Sequence, residues 1–132
     1  MRFKSRRGSE ILEFALVAPL LLILVFGIID FGIALYDKAV ITNASREGAR
    51  AGIVYRVDPA TGNLNRLTVP EITAVATNYC SSYLITFGTP NLTVNVTGAG
   101  SASGSPLTVR VSYPYTFGVI SHFIPLLGNP TF

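Results

Sequence analysis

The sequence is dominated by one apolar run near its N-terminus, from Phe14 to Ile29. All 16 residues of the run are uncharged, and 12 of them are Phe, Leu, Ile or Val. On a membrane-insertion scale these 12, at roughly −0.3 to −0.6 kcal/mol each, outweigh the about +2.5 to +3.5 kcal/mol penalty of the off-centre Asp30. Pro19 inside the run is tolerated in a bilayer. The sequence therefore predicts a transmembrane helix over residues 9–36, in contact with the lipid bilayer.

The charges of the chain are concentrated at its N-terminus. The formal net charge is +3, and four of the ten basic residues precede the apolar run as a basic leader: Arg2, Lys4, Arg6 and Arg7. Residues 72–132 carry a single formal charge, Arg110. Nucleic-acid binding requires a basic stripe on a folded face, so we expect no nucleic-acid partner. Basic residues before an apolar run stay on the cytoplasmic side, which predicts a cytoplasmic N-terminus with the remainder on the opposite side of the membrane.

The counts of reactive residues argue against catalysis and metal binding. The chain contains one Cys, one His and no Trp. An intrachain disulfide is impossible, and a Cys/His zinc cluster is not expected. Cys80 lies on an apolar stripe and is interpreted as a buried hydrophobe, and His122 is interpreted as structural. We expect a protein that is not an enzyme, with no cofactor, no metal site and no catalytic residue.

The helix is predicted to continue beyond the membrane. Apolar and small residues recur at three- and four-residue spacing from Ile33 to Ala51, whereas the charged residues mostly fall elsewhere on the helical wheel: Asp37, Lys38, Arg46, Glu47 and Arg50. This pattern predicts one helix over about 9–55, transmembrane over 9–36 and amphipathic over 37–55. Its apolar face is expected to complete the core of a small head, because about 75 residues alone would form a thin core.

The head, residues 56–132, is predicted to be an α+β unit. The segment 58–63 is rich in turn-forming residues. Thr68 and Glu71 have the spacing of a capping box, and the apolar stripe behind them predicts a second helix over about 69–85. Alternating apolar and polar residues predict a β-hairpin, with strands over about 91–97 and 107–115 joined by a Gly- and Ser-rich loop.

Glu13 lies at the start of the apolar run. A carboxylate there costs kilocalories unless it reaches the interface or finds a cation. Two interpretations remain open from the residues alone. The carboxylate extends into interfacial water, or it pairs with a positive group that another chain supplies within the membrane.

The N-terminal residues resemble a known family. The sequence from Arg6 to Phe14, followed by the apolar run, is similar to the processing site and membrane helix of TadE-like pseudopilins, the minor pilins of tight-adherence type IV pili. Residues 46–51 are similar to the end of that helix, and residues 109–128 resemble the family more loosely. In this family a prepilin peptidase cuts after a glycine that follows a short basic leader, and Glu and an aromatic residue stand five and six positions beyond it. Gly8, Glu13 and Phe14 fill these positions; Glu10 departs from the pattern, where members usually carry a small or apolar residue.

The resemblance implies a structural role. The peptidase would remove residues 1–8 and leave a free amine on Ser9, and Glu13 would pair with the amine of a neighbouring subunit and set the axial register. Implied partners are other pilin or pseudopilin subunits, the prepilin peptidase and the pilus assembly platform of the bacterial inner membrane. The implied function is pilus assembly, adhesion and biofilm formation, with the head periplasmic or, in the pilus, extracellular.

Two alternatives stay open. One is an unprocessed single-pass membrane protein whose head binds another envelope protein. The other is a small envelope enzyme or ligand-binding domain released by signal cleavage at Gly32-Ile33-Ala34, although the apolar run is longer than the usual core of a signal peptide. The sequence of the native N-terminus would separate all three.

Overall fold

The structure is a computed structural model that describes residues 7–59, 61–86, 91–100 and 104–118. Six elements follow one another along the chain. They are α1 (Arg7–Ile53), β1 (Tyr55–Val57), β2 (Leu64–Arg66), α2 (Val69–Tyr83), β3 (Thr93–Thr97) and β4 (Thr108–Ser112). The α+β fold, with a long N-terminal helix, a second helix and a hairpin in the head, is confirmed.

Helix α1 runs without interruption through the apolar run and its amphipathic continuation. Pro19 lies inside it. The head packs on its second half only, from Asp30 to Gly52, and the predicted apolar face is buried there through Val40, Ala44 and Ala51. One helix therefore carries both a bare apolar segment and the scaffold of the head.

Helix α2 lies antiparallel to α1. Ile72 near its start meets Gly52, and Ile85 just beyond its end meets Asp37. The predicted cap is present, because the Glu71 carboxylate accepts hydrogen bonds from the Thr68 N–H at 2.7 Å and the Thr68 hydroxyl at 2.6 Å. These bonds lower the pKa of Glu71. The helix ends two residues before the predicted boundary, because Leu84 is extended and its N–H closes the last turn onto the Cys80 carbonyl at 2.8 Å.

The predicted hairpin is β3 paired antiparallel with β4, in the register Val94 opposite Val111 and Val96 opposite Val109. Its apolar face covers both helices, and the core formed there includes Ala76, Cys80 and Tyr113. Gly98 has a φ of +83°, and a Cβ there would collide with the Pro106 carbonyl oxygen. Only glycine therefore fits at this end of the hairpin.

A second hairpin, β1 with β2, was not predicted. Tyr55 pairs with Arg66 and Val57 with Leu64 at the end of α1 that is far from the apolar run. The expected turn is its connection, closed by the bond from the Gly62 N–H to the Asp58 carbonyl at 2.8 Å. Strands of three residues with exposed side chains give too weak an alternation to detect.

Candidate functional site

The residues of the predicted processing site lie on the first turns of α1. Gly8, Ser9, Glu13 and Phe14 are all exposed there, and open space surrounds the position that a Gly8 Cβ would take. Ser9 and Glu13 are one helical turn apart and share a face. Arg2, Lys4 and Arg6 of the basic leader lie outside the described residues, and Arg7 begins the helix.

The apolar run forms a bare helical surface above these residues. Large apolar side chains from Ile11 to Ile29 are exposed on every side of α1, and its 18-residue apolar stretch is 0% buried. Length and composition make α1 able to cross a membrane. An apolar area of this size is unusual on a soluble monomer and indicates a membrane or protein contact.

A polar cluster that was not predicted from the sequence lies where the head begins. Asp30 and Asp37 are 3% and 0% exposed, and Tyr113 and Tyr115 pack in the same region of the core. We call these four residues the junction. The expectation that Asp37 faces away from the head is wrong: its side chain lies under the head. Asp30 and Asp37 are two helical turns apart, and this seven-residue spacing was the available signal.

Asp37 fastens the end of α2 to α1. Its Oδ1 accepts a hydrogen bond from the Ile85 N–H at 3.0 Å, while its Oδ2 is buried without a hydrogen-bond partner in the described part of the chain. Burial raises the pKa of Asp37 above its ordinary value of 3.8, and the Ile85 N–H partly opposes this shift. The junction therefore favours the protonated carboxyl more than water does.

Tyr115 fastens the segment that follows β4. Its hydroxyl donates a hydrogen bond to the Asp30 carbonyl oxygen at 3.2 Å, and its ring packs edge-on against Phe117 at 5.2 Å. Burial first, and then the nearby charges of Asp30 and Asp37, raise the pKa of Tyr115 to about 12. Burial and the Asp37 charge also raise the pKa of Tyr113. Both hydroxyls therefore stay protonated at physiological pH and act as fixed polar groups.

The far end of the head holds an open polar groove of about 470 Å³ between the β1–β2 hairpin and the start of α2. Arg56, Asp58, Arg66 and Glu71 line it, and the Arg66 guanidinium lies 4.6 Å from the centre of the Tyr55 ring. No three His, Cys, Asp or Glu side chains come together to hold a metal within the described ranges. Cys80 is buried, as interpreted from the sequence, and burial raises the pKa of its thiol.

Helix α1, with its bare apolar segment, is also the part of the chain that matches a known family. Residues 8–50 match the profile of the TadE-like protein family, so this segment of the chain is TadE-like and the resemblance is confirmed. The match begins at Gly8 and covers most of α1. Searches of curated proteins and of solved structures found no match.

Proposed function

We propose that this protein is a pseudopilin, a structural minor subunit of a tight-adherence, type IV-like pilus. It is anchored in the bacterial inner membrane by α1, with its N-terminus cytoplasmic and its head periplasmic, and it takes part in pilus assembly, adhesion and biofilm formation. The observation that carries the proposal is the TadE-like match from Gly8 onward, on a helix whose apolar half is bare.

Maturation is the first step of this proposal. A prepilin peptidase cuts after Gly8, removes the basic leader and leaves an amine on Ser9. The exposure of Gly8 and Ser9 on the first turn of α1 supports access by the peptidase. A glycine offers an unhindered backbone, and a basic leader holds the cleavage site at the cytoplasmic face.

Register in the filament is the second step. Glu13 is exposed and lies on a helix surface that will be surrounded by lipid or by neighbouring subunits. In the low dielectric of a helix bundle, an unpaired carboxylate is strongly unfavourable. The favoured axial position of a neighbouring subunit is therefore the one that brings its Ser9 amine next to Glu13. Phe14, exposed beside it, packs against the same neighbour.

The test of maturation is a substitution of the glycine. Gly8→Ala, coexpressed with the cognate peptidase, is expected to retain residues 1–8 by intact mass, whereas the unaltered chain loses them. Gly32→Ala is the matched control, because open space also surrounds Gly32 on the same helix. Equal cleavage of Gly8→Ala and the unaltered chain would contradict the proposed site.

The test of register neutralises the carboxylate. Glu13→Gln is expected to be cleaved normally but to be lost from pili or from complexes with sister subunits, measured by co-purification. Glu10→Gln, which alters a carboxylate one turn away, is the matched control and is expected to assemble. Normal assembly of Glu13→Gln with a retained leader would favour the unprocessed single-pass protein.

The structure bears on signal cleavage near Ala34. Ala34 is buried in the core of the head, on a helix that continues unbroken through Gly32 and Ile33. Cleavage there would also separate Asp30 from the Tyr115 hydroxyl that bonds its carbonyl. These contacts favour a chain that keeps its apolar helix.

A further inference from the structure

The end of the head nearest the apolar run presents an uncharged, partly apolar surface. Its exposed side chains come from α1 and from the end of α2. We call them the proximal rim: Phe31, Leu35, Tyr36, Tyr83 and Ile85. Phe31, Leu35 and Tyr36 continue the bare surface of the apolar run without a break in the helix. The rim is therefore continuous with the surface that would face lipid.

Charge is divided along the axis of the molecule. Between Phe14 and Asp37 the only charged residues of α1 are Asp30 and Asp37, and both are buried in the junction. The described residues after Glu71 carry one charged side chain, Arg110, which lines a groove of about 290 Å³ with Lys38. The other exposed charges of the head lie farther out, at Arg46, Glu47, Arg50, Arg56 and Glu71. An end without exposed charge and with exposed Tyr and Ile side chains suits the headgroup boundary of a bilayer.

The length of α1 places the rim at that boundary. From Ser9 to Tyr36 the helix rises ~40 Å, close to the ~40–45 Å thickness of a bilayer that includes both headgroup layers. If Ser9 lies at the inner surface of the bilayer, Phe31 lies near the outer edge of the hydrocarbon core, and Leu35 and Tyr36 fall in the outer headgroup layer. Lys38, the first exposed charge beyond them, then stands where its ammonium reaches lipid phosphates.

The head is held at this height by two hydrogen bonds to α1. The Ile85 N–H bonds the Asp37 carboxylate at 3.0 Å, and the Tyr115 hydroxyl bonds the Asp30 carbonyl at 3.2 Å. Tyr83 and Ile85 therefore keep a fixed height relative to Asp37. A span that places Tyr36 among headgroups brings the end of α2, held at the neighbouring Asp37, to the same layer.

We propose that the proximal rim is a lipid-contacting surface that seats the head in the outer headgroup layer of the bilayer. This inference rests on the proposed membrane anchoring by α1 and goes beyond it, since an anchored head need not touch the membrane. The seat fixes the orientation of the head before assembly. Extraction of the subunit then has to remove the rim from lipid as well as the span.

The chain contains no Trp, so a single introduced Trp reports its own surroundings. Three variants of the full chain are compared in vesicles of phosphatidylethanolamine and phosphatidylglycerol. Tyr83→Trp reports the rim, Leu64→Trp reports the far hairpin, and Leu24→Trp reports the span, at positions 54%, 65% and 57% exposed respectively. Emission wavelength is measured, together with quenching by lipids brominated near the headgroup and by aqueous acrylamide.

Contact of the proximal rim with the headgroup layer predicts blue-shifted emission for Tyr83→Trp. It also predicts several-fold stronger quenching by the brominated lipids than for Leu64→Trp. If acrylamide alone quenches Tyr83→Trp while the brominated lipids still quench Leu24→Trp, the lipid contact of the proximal rim is overturned. Membrane anchoring by α1 is then left intact. Leu24→Trp quenched only from water would overturn the anchor and the proposed function with it. Protection of Tyr83→Trp that disappears on dilution into excess lipid would assign the rim to a second copy of the chain and overturn the seat.

Thermal unfolding in detergent checks that the variants are folded. Tyr83 and Leu64 are both exposed, so neither substitution is expected to change the unfolding temperature. A second rim position, Tyr36→Trp, repeats the measurement on α1 itself. It is expected to report the same layer as Tyr83→Trp. A difference in depth between the two would contradict a rim held at one height.

Discussion

The two halves of α1 are parts of one continuous helix, yet they meet their surroundings in opposite ways. From Ser9 to Ile29 the apolar side chains are bare and both acidic groups, Glu10 and Glu13, are exposed. From Asp30 to Ile53 one face of the helix is buried under the head; Asp30 and Asp37 are buried with it, and Glu47 is exposed. Helix formation is common to both halves, so what the side chains contact decides the role of each half.

The two halves of α1 are expected to differ most in the stability lost when an apolar side chain is truncated. Ile72 of α2 is 0% exposed and packs on the second half of α1, whereas Ile28 in the first half is 67% exposed. Ile72→Ala should destabilise the head by about 2–5 kcal/mol, because it leaves a cavity. Ile28→Ala should leave thermal unfolding of the head in detergent unchanged. Equal shifts in the two variants would contradict the division of α1 into two halves.

A smaller contrast is expected for added volume. Gly52 faces the head, where a Cβ would come within 2.6 Å of Leu107 Cδ2 and 2.7 Å of Ile72 Cδ1, while nothing lies near Gly32. Gly52→Val should destabilise the packing of the head on α1 by about 1–3 kcal/mol, because neighbouring side chains must shift. Gly32→Val, the matched control, should unfold at the same urea concentration as the unaltered chain. Urea unfolding followed by circular dichroism measures both.

The smallest contrast concerns protonation of the junction. Because burial raises the pKa of Asp37 in the folded chain, the folded state binds more protons than the unfolded state between pH 3.8 and the raised value. Stability contributed at Asp37 is therefore greatest at low pH and falls as pH rises through this window. Tyr113, Tyr115 and Asp30 face the same region, and neither tyrosine titrates there.

Asp37→Asn is expected to remove this dependence. The amide oxygen can still accept the Ile85 N–H, and no charge develops as pH rises. The variant should therefore be more stable than the unaltered chain at pH 7 and should lose this advantage near pH 4. Unfolding temperatures across this range measure the effect, with Glu47→Gln as an exposed control on the same helix. A pH profile for Asp37→Asn that parallels the unaltered chain would contradict the assignment to Asp37.

Sequence patterns predicted the helices because periodicity and capping are local. The apolar run defined α1, and Thr68 with Glu71 defined the start of α2 to the residue. The junction could not be predicted in the same way, since a charged residue is assigned to the solvent face unless its distant partners are known. Ile85 and Tyr115 are 48 and 85 residues away from the groups they bond. The loop turn at 58–63 was visible, but the three-residue strands beside it were too short to show alternation.

The roles of the proposed processing and register residues could not be read from the structure of a single chain. Gly8, Glu13 and Phe14 were identified by spacing and resemblance, and the structure places them on exposed turns of α1, where no contact among the described residues shows their roles. A residue whose contacts are made only with another subunit or with a peptidase leaves no packing signature in a single chain. Mutagenesis of the natural assembly is therefore the decisive measurement for these three positions.

The side-by-side attachment of the head to α1 has a mechanical consequence. Val109 and Ile72 enter the hollows left by Gly48 and Gly52, and the bonds to Asp37 and Asp30 lie farther along the same helix. A pull along the axis of α1 loads all of these contacts in parallel, in shear, and does not peel them apart one after another. A helix drawn lengthwise by a motor would therefore carry its head as one solid body.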